Sequence, residues 1–184
     1  DYLGTSGPRM GPAVACLCGF ADYCIAVGAW PALSASVVDT GAWTEFDRAA
    51  CDPGPSDVDA AVFFSLLGGE TFRDIVVALR YDGGDWANDV LKRLSRNAPL
   101  AMSATIELVH RARTRDRIET ALTNEYRFSH RVAAQGDFRE GIRATIIDKD
   151  KSPRWAHDDI AGPSPAEVSA MLLPLGDEEW TLEE

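Results

Sequence analysis

The sequence predicts a mainly helical chain, and three observations carry that expectation. Phe72, Ile75, Val76 and Leu79 fall at the i, i+3, i+4, i+7 spacing of one helix face. Leu100, Ala104, Leu108 and Ala112 keep a similar register over a longer stretch, and Ile118, Ala121, Leu122, Glu125, Ser129 and Val132 do so again. Between these stretches stand helix punctuators: Gly68-Gly69, Gly83-Gly84, Pro99 and Gly136.

Taken in order, Pro12 to Cys18 is a short apolar helix and Ala21 to Val27 a short strand with Asp22 at its start. Pro31 to Asp39 is expected to be helical, and Gly41 to Asp57, which carries a D-P-G-P turn, a loop. Val58 to Leu67 and Glu70 to Arg80 are the next helices; Tyr81 to Asp85 is a Gly-Gly turn, and Trp86 to Ser95 another helix. A long helix starts at Asn97 to Pro99 and runs to about Arg113, since proline in the first turn forfeits no intrahelical bond. Thr114 to Arg117 is a turn, Asp116 the cap of the following helix, and Gly136 its end near Gln135. Two long helices joined this tightly are expected to pack antiparallel. Glu125 lies among apolar neighbours, so it is expected to be buried and anchored by Arg131, Arg143 or backbone amides rather than to act as an acid or base. Asp137 and Glu140 belong to the first turn of a short helix whose Phe138 and Ile142 point to the core, and Ser164-Pro165-Ala166-Glu167 opens a last helix.

Composition sets bounds. A chain of 184 residues that is 46% hydrophobic can build a real core. Its apolar runs, such as Ala13 to Val27, are broken well short of the roughly 18 residues a bilayer span needs, so no membrane partner is expected. No leader pattern opens the sequence, and the expected address is cytoplasmic. Cys16, Cys18, Cys24 and Cys51 lack zinc-ligand spacing, and His110, His130 and His157 are dispersed, so buried free thiols and no metal site are expected. Gly4, Gly7 and Gly11 do not form a dinucleotide fingerprint. The net charge is -11, yet the stretch from Lys92 to Arg154 holds 14 of the 18 Lys and Arg and is locally +6. That basic stretch is either the wet face of helices or an anion site; nucleic acid is disfavoured because the acidic remainder repels a polyanion.

The most specific string is EYRFSHRVAAQGDFREGIRATIIDKDKSPRW, Glu125 to Trp155. Its blocks E-Y-R-F-S, G-D-F-R-E-G-I-R-A and I-D-K-D-K-S-P-R-W, in this order and spacing, resemble the C-terminal region of the 3-hydroxyisobutyryl-CoA hydrolase branch of the enoyl-CoA hydratase/isomerase (crotonase) superfamily. The first 25 residues resemble the segment that follows the family's catalytic motif, through Gly7, Arg9, Met10, Gly19, Ala21 and Asp22, with Val14 where an Asp is usual. The resemblance implies the C-terminal helical part of a crotonase-type α/β fold. Residues 1–30 would end the crotonase-like core, 31–95 form a helical insert or linker, and 96–184 a C-terminal helical domain.

It further implies part of an acyl-CoA-processing enzyme that hydrolyses the thioester of 3-hydroxyisobutyryl-CoA in valine catabolism. Alternatives are an enoyl-CoA hydratase/isomerase and a non-catalytic helical interaction module. Catalytic residues are expected upstream, none in this chain, which alone would be inactive and would need an N-terminal half or second polypeptide as partner. Coenzyme A enters as part of the substrate, with no separate cofactor. By the resemblance Lys149 is the first candidate for the CoA phosphates, with Lys151 and Arg143 next. Such basic tails sometimes reach the CoA of a neighbouring subunit, which leaves a homo-oligomer open. Thr145 stands where crotonases carry a Phe that lines the acyl pocket.

Overall fold

The computed structural model of the chain describes residues 2–7, 9–55, 65–115 and 117–180. Their regular structure is helical: α1 Tyr2–Ser6, α2 Pro12–Leu17, α3 Trp30–Thr40, α4 Thr44–Ala49, α5 Phe72–Asp82, α6 Asp85–Leu94, α7 Pro99–Thr114, α8 Ile118–Gln135, α9 Phe138–Ile142 and α10 Pro165–Ala170. A π turn over Arg143–Ile147 continues α9, and short 3-10 turns cover Val27–Ala29 and Gly176–Glu178. Two compact units result, one of Asp1–Gly7 with Ser65–Glu184 and one of Pro8–Phe64. Residues 65–95 therefore share a unit with the C-terminal helices, because α5 packs on α6 and on α7.

The larger unit is built around α7. From Pro99 to Arg111 no residue of this helix is exposed, as expected of a helix surrounded by others, and α1, α5, α8 and α10 all pack against it. The core comprises Phe72, Ile75, Val76 and Leu79 of α5, Ala87, Val90 and Leu94 of α6, Met102, Ala104 and Ile106 of α7, and Met171 and Leu172 beyond α10. Glycine lets α1 approach closely, since a Cβ on Gly4 would lie 2.7 Å from Thr105 Cγ2. Asn97 Nδ2 donates to Thr5 O at 2.8 Å and ties α1 to the start of α7.

Caps fix the ends. Thr71 and Asp74 form a reciprocal capping box on α5, which stops at Gly83 with φ 63°. Ser164 and Glu167 do the same for α10, with Pro165 at its first position. Gly136 ends α8, but with an extended backbone instead of a left-handed cap; glycine is needed there because a Cβ would meet Val132 Cγ2 at 2.8 Å.

α8 is rotated relative to the face its sequence predicts. Ile118, Leu122, Glu125 and Ser129 are exposed, and the inward positions are Ala121, Asn124, Phe128, Arg131 and Val132. The reason is that basic side chains on the inward side find partners in a distant segment. Arg131 donates to Met171 O at 3.2 Å and Pro174 O at 3.1 Å, and Arg127 Nε to Glu179 Oε1 at 2.6 Å. Glu125 thus needs no buried anchor. Phe138 likewise is half exposed, at 54%, not in the core. The Asp116 cap lies outside the described residues.

In the smaller unit α3 packs on α4, and Ser36 Oγ donates to Glu45 Oε2 at 2.6 Å. The strand expected at Ala21 to Val27 reduces to an isolated antiparallel bridge between Ile25 and Ala50. The expected loop contains α4, whose first turn carries Glu45 and Asp47 at the positive end of the helix dipole and whose Phe46 ring packs on Trp43. Of the helix expected over 58–67, residues 58–64 lie outside the described residues and 65–67 are helical. The cysteines are free; Cys16, Cys18 and Cys24 are half-buried and Cys51 exposed, because they sit in this thinly packed unit and not in the main core.

Candidate functional site

Two adjoining cavities lie where the start of α7 meets the end of α8 and α9. The first, about 510 Å³, is lined by Leu100, Phe128, Val132, Phe138, Ile142, Ile146 and Trp155, with few polar groups. That Ala98 and Leu100 share a wall with Phe128 and Val132 is the antiparallel arrangement the short turn predicts. The second, about 850 Å³, has a mixed lining whose polar side chains include Arg96, Asn97, Lys151 and Ser152. Ala98, Thr145 and Trp155 line both cavities, so an apolar groove opens directly onto a basic mouth. The Trp155 indole Nε1 is buried there without a hydrogen-bond partner among the described residues.

The mouth is framed by an arm, residues 148–156, folded back on α9. Asp148 N bonds to Arg143 O at 2.8 Å, closing the π turn, and Lys151 N to Ala144 O at 3.0 Å. Arg143 is the hub. Its Nε and Nη2 donate to Glu140 at 2.9 and 2.7 Å, Nη1 to Asp148 and Asp150 at 2.6 and 2.7 Å, and Nη2 to Ser152 O at 3.2 Å. These bonds occupy all five N–H groups of a guanidinium. The arm is further held by Arg154 N on Glu140 Oε1 at 2.7 Å, Ser152 N on Asp150 Oδ1 at 2.9 Å and Ala156 N on Asp137 Oδ1 at 2.9 Å.

Electrostatics follow from this geometry. Arg143, with the backbone N–H of Arg154, pulls the Glu140 carboxyl down to about 2. Arg143 and the Ser152 N–H hold Asp150 below the ordinary carboxylate range, and the three carboxylates raise Arg143, so it stays charged. Beyond the arm, the capping bonds from Ser164 and the His157 ring bring Glu167 to about 2 as well.

The three expected cationic residues thus lie on the arm or in the π turn that it folds against, but in different states. Arg143 spends every donor on Glu140 of α9 and on the arm, whereas Lys149 and Lys151 are exposed at the arm's bend with left-handed φ of 58° and 54°. Non-glycine residues held there cost roughly 1–3 kcal/mol each and persist only where the surroundings impose them. Lys151 lines the basic mouth. Arg96 joins it from the α6–α7 link, a residue missed because only folding brings it to the arm; its one signal was its place in the basic stretch. Among the described residues no cluster of three metal-ligating side chains occurs, and no helix is long and apolar enough to cross a membrane.

Comparison with known proteins adds the following. The enoyl-CoA hydratase/isomerase family profile matches residues 1–172. The mitochondrial 3-hydroxyisobutyryl-CoA hydrolase of Gallus gallus is 30% identical over 118 residues, which is 64% of this chain and 30% of that protein. An enoyl-CoA hydratase structure from Rhodobacter sphaeroides 2.4.1 is similar with a TM-score of 0.76 and 38% identity, over 98% of this chain and 53% of that one. A carnitinyl-CoA dehydratase structure from Mycobacterium thermoresistibile gives a TM-score of 0.81 and 28% identity, over 98% and 52%. The chain therefore spans about half the length of these solved relatives.

Proposed function

The chain belongs to the enoyl-CoA hydratase/isomerase family, and on that premise we propose that it is the C-terminal part of an enzyme that hydrolyses 3-hydroxyisobutyryl-CoA, a step of valine catabolism. The observation that carries the reading is the apolar groove of about 510 Å³ opening onto a basic mouth. An acyl-CoA has this polarity order: an apolar acyl and pantetheine arm ending in phosphates. Lys149 and Lys151 would meet those phosphates as flexible point charges. Arg143 would act by holding the arm at the angle that presents them. Trp155 and Ile142 would cover the apolar arm and exclude water from it.

The chemistry itself belongs elsewhere in this proposal. Polarising a thioester carbonyl needs rigid N–H donors aimed at the developing oxyanion, and activating water needs a carboxylate. By the resemblance both come from motifs outside this sequence, supplied by an upstream half or a partner polypeptide. A second reading, hydration of an enoyl-CoA, is favoured by the 38% identity to the Rhodobacter enoyl-CoA hydratase over nearly the whole chain.

Titration of the chain with CoA at low and moderate salt tests the binding part. Replacing both Lys149 and Lys151 with Gln is expected to weaken CoA about tenfold, ~1.4 kcal/mol, and an unchanged affinity would sink the assignment. With the complete enzyme, thiol release from 3-hydroxyisobutyryl-CoA supports hydrolysis, while water addition to an enoyl-CoA without thiol release supports the second reading.

A further inference from the structure

A third cavity, about 590 Å³, lies at the other end of the α7–α8 pair, lined by Arg111, Arg115, Arg117, Arg127 and Asn124 among others. The sixteen residues of α7 put it about 24 Å from the groove at the α7 start. Among the described residues, three of its arginines are anchored through Nε: Arg111 to Glu107 at 2.7 Å, Arg127 to Glu179 at 2.6 Å and Arg117 to Glu119 at 3.4 Å. Anchoring in this way orients each guanidinium while leaving its Nη groups for another acceptor. Asn124 is only 6% exposed and lines the cavity beside these arginines. The N-terminus of α8, 18 residues long and without a side-chain cap bond, adds a positive field at the same place. Glu119 takes up part of that field, since its carboxylate accepts from its own backbone N–H and from Arg117.

We propose that this cavity binds a phosphorylated small molecule, its phosphoryl oxygens held by the Nη groups of the four arginines and by the Asn124 amide. A lone carboxylate would engage one guanidinium fork; several converging forks suit the larger set of oxygens on a phosphoryl group. A nucleic acid is disfavoured by the net charge of -11, which repels a long polyanion outside any one patch.

Calorimetric titration of the 184-residue chain with inorganic pyrophosphate, and in parallel with ribose 5-phosphate, tests this. Tighter binding of pyrophosphate marks a site for a free or terminal diphosphate, tighter binding of ribose 5-phosphate one for a phosphate ester, and saturable binding of either supports the proposal. The double variant Arg115→Gln/Arg117→Gln, at exposed positions, is expected to weaken binding at least about tenfold, ~1.4 kcal/mol, with an unchanged circular dichroism melt. Asn124→Asp, nearly isosteric but anionic, is expected to abolish it. Absence of saturable binding, or equal binding by either folded variant, overturns the proposal. Binding lost in Lys149→Gln/Lys151→Gln but retained in Arg115→Gln/Arg117→Gln would put the anion on the arm and overturn it too, while leaving the CoA reading intact.

Discussion

Removing the Arg143 guanidinium should return Glu140 to ordinary acidity. Arg143 gives two hydrogen bonds to Glu140, one each to Asp148 and Asp150, and one to Ser152 O. The paired bonds to Glu140 are the largest cause of its displacement from 4.5 to about 2, roughly a hundredfold or more in proton affinity. Arg143→Gln keeps a polar side chain but loses the charge and the fork, and leaves Glu140 only the Arg154 N–H bond. The Glu140 carboxyl is then expected to titrate well above about 2, back toward 4.5. Because the folded-state pKa is depressed, the arm's stabilisation by Glu140 is complete above 4.5 and is lost as the pH falls through about 2. The assay is carbon-13 NMR of the Glu140 carboxyl against pH in both proteins, with the Lys149 and Lys151 amides as reporters of arm order. A wild-type Glu140 that titrates near 4.5, or one unmoved by Arg143→Gln, would refute the hub.

Three further outcomes are expected. Gly4→Ala forces a Cβ to 2.7 Å from Thr105 Cγ2 and should destabilise by ~1–3 kcal/mol in urea unfolding; adding Thr105→Ser, which removes that methyl, should recover most of the loss. Thr71→Ala deletes the α5 capping box and should cost ~1 kcal/mol in the same assay. Glu125→Gln acts on an exposed side chain and should stay within about 0.5 kcal/mol of wild type; a larger loss would restore the buried anchor that its sequence neighbours suggest.

Where structure depends on neighbouring residues, it could be read from the sequence. The α5 face, Pro99 at the head of α7 and Ser164 before α10 are local patterns, and the structure reproduces them. The misreadings come from distant partners. Arg127 and Arg131 look like solvent residues until Glu179, Met171 and Pro174 are brought against them, and that contact turns Glu125 outward. α4 was hidden because the turn-forming residues beyond it dominated the composition of its segment. Of the candidate site, the arm was legible through its motif, but not that Arg143 would exhaust its donors there, since the acceptors include residues on both sides of the π turn. Arg96 and the shared cavity wall arise only from tertiary folding.

The π turn at Arg143–Ile147 has a consequence for how this segment can vary. It holds one residue more than the α-helical pairing it interrupts, so a single deletion would let the ordinary i to i+4 ladder re-form. Everything after it would then swing by about 100° around the helix axis, carrying the lysines away from the groove and parting Arg143 from Asp148 and Asp150. Ile146 and Ile147 are exposed, at 63% and 69%, so exchanging them for other residues disturbs little of the core. Here the geometry demands a fixed chain length: substitution of the exposed Ile147 should be absorbed, and indels in the turn should not.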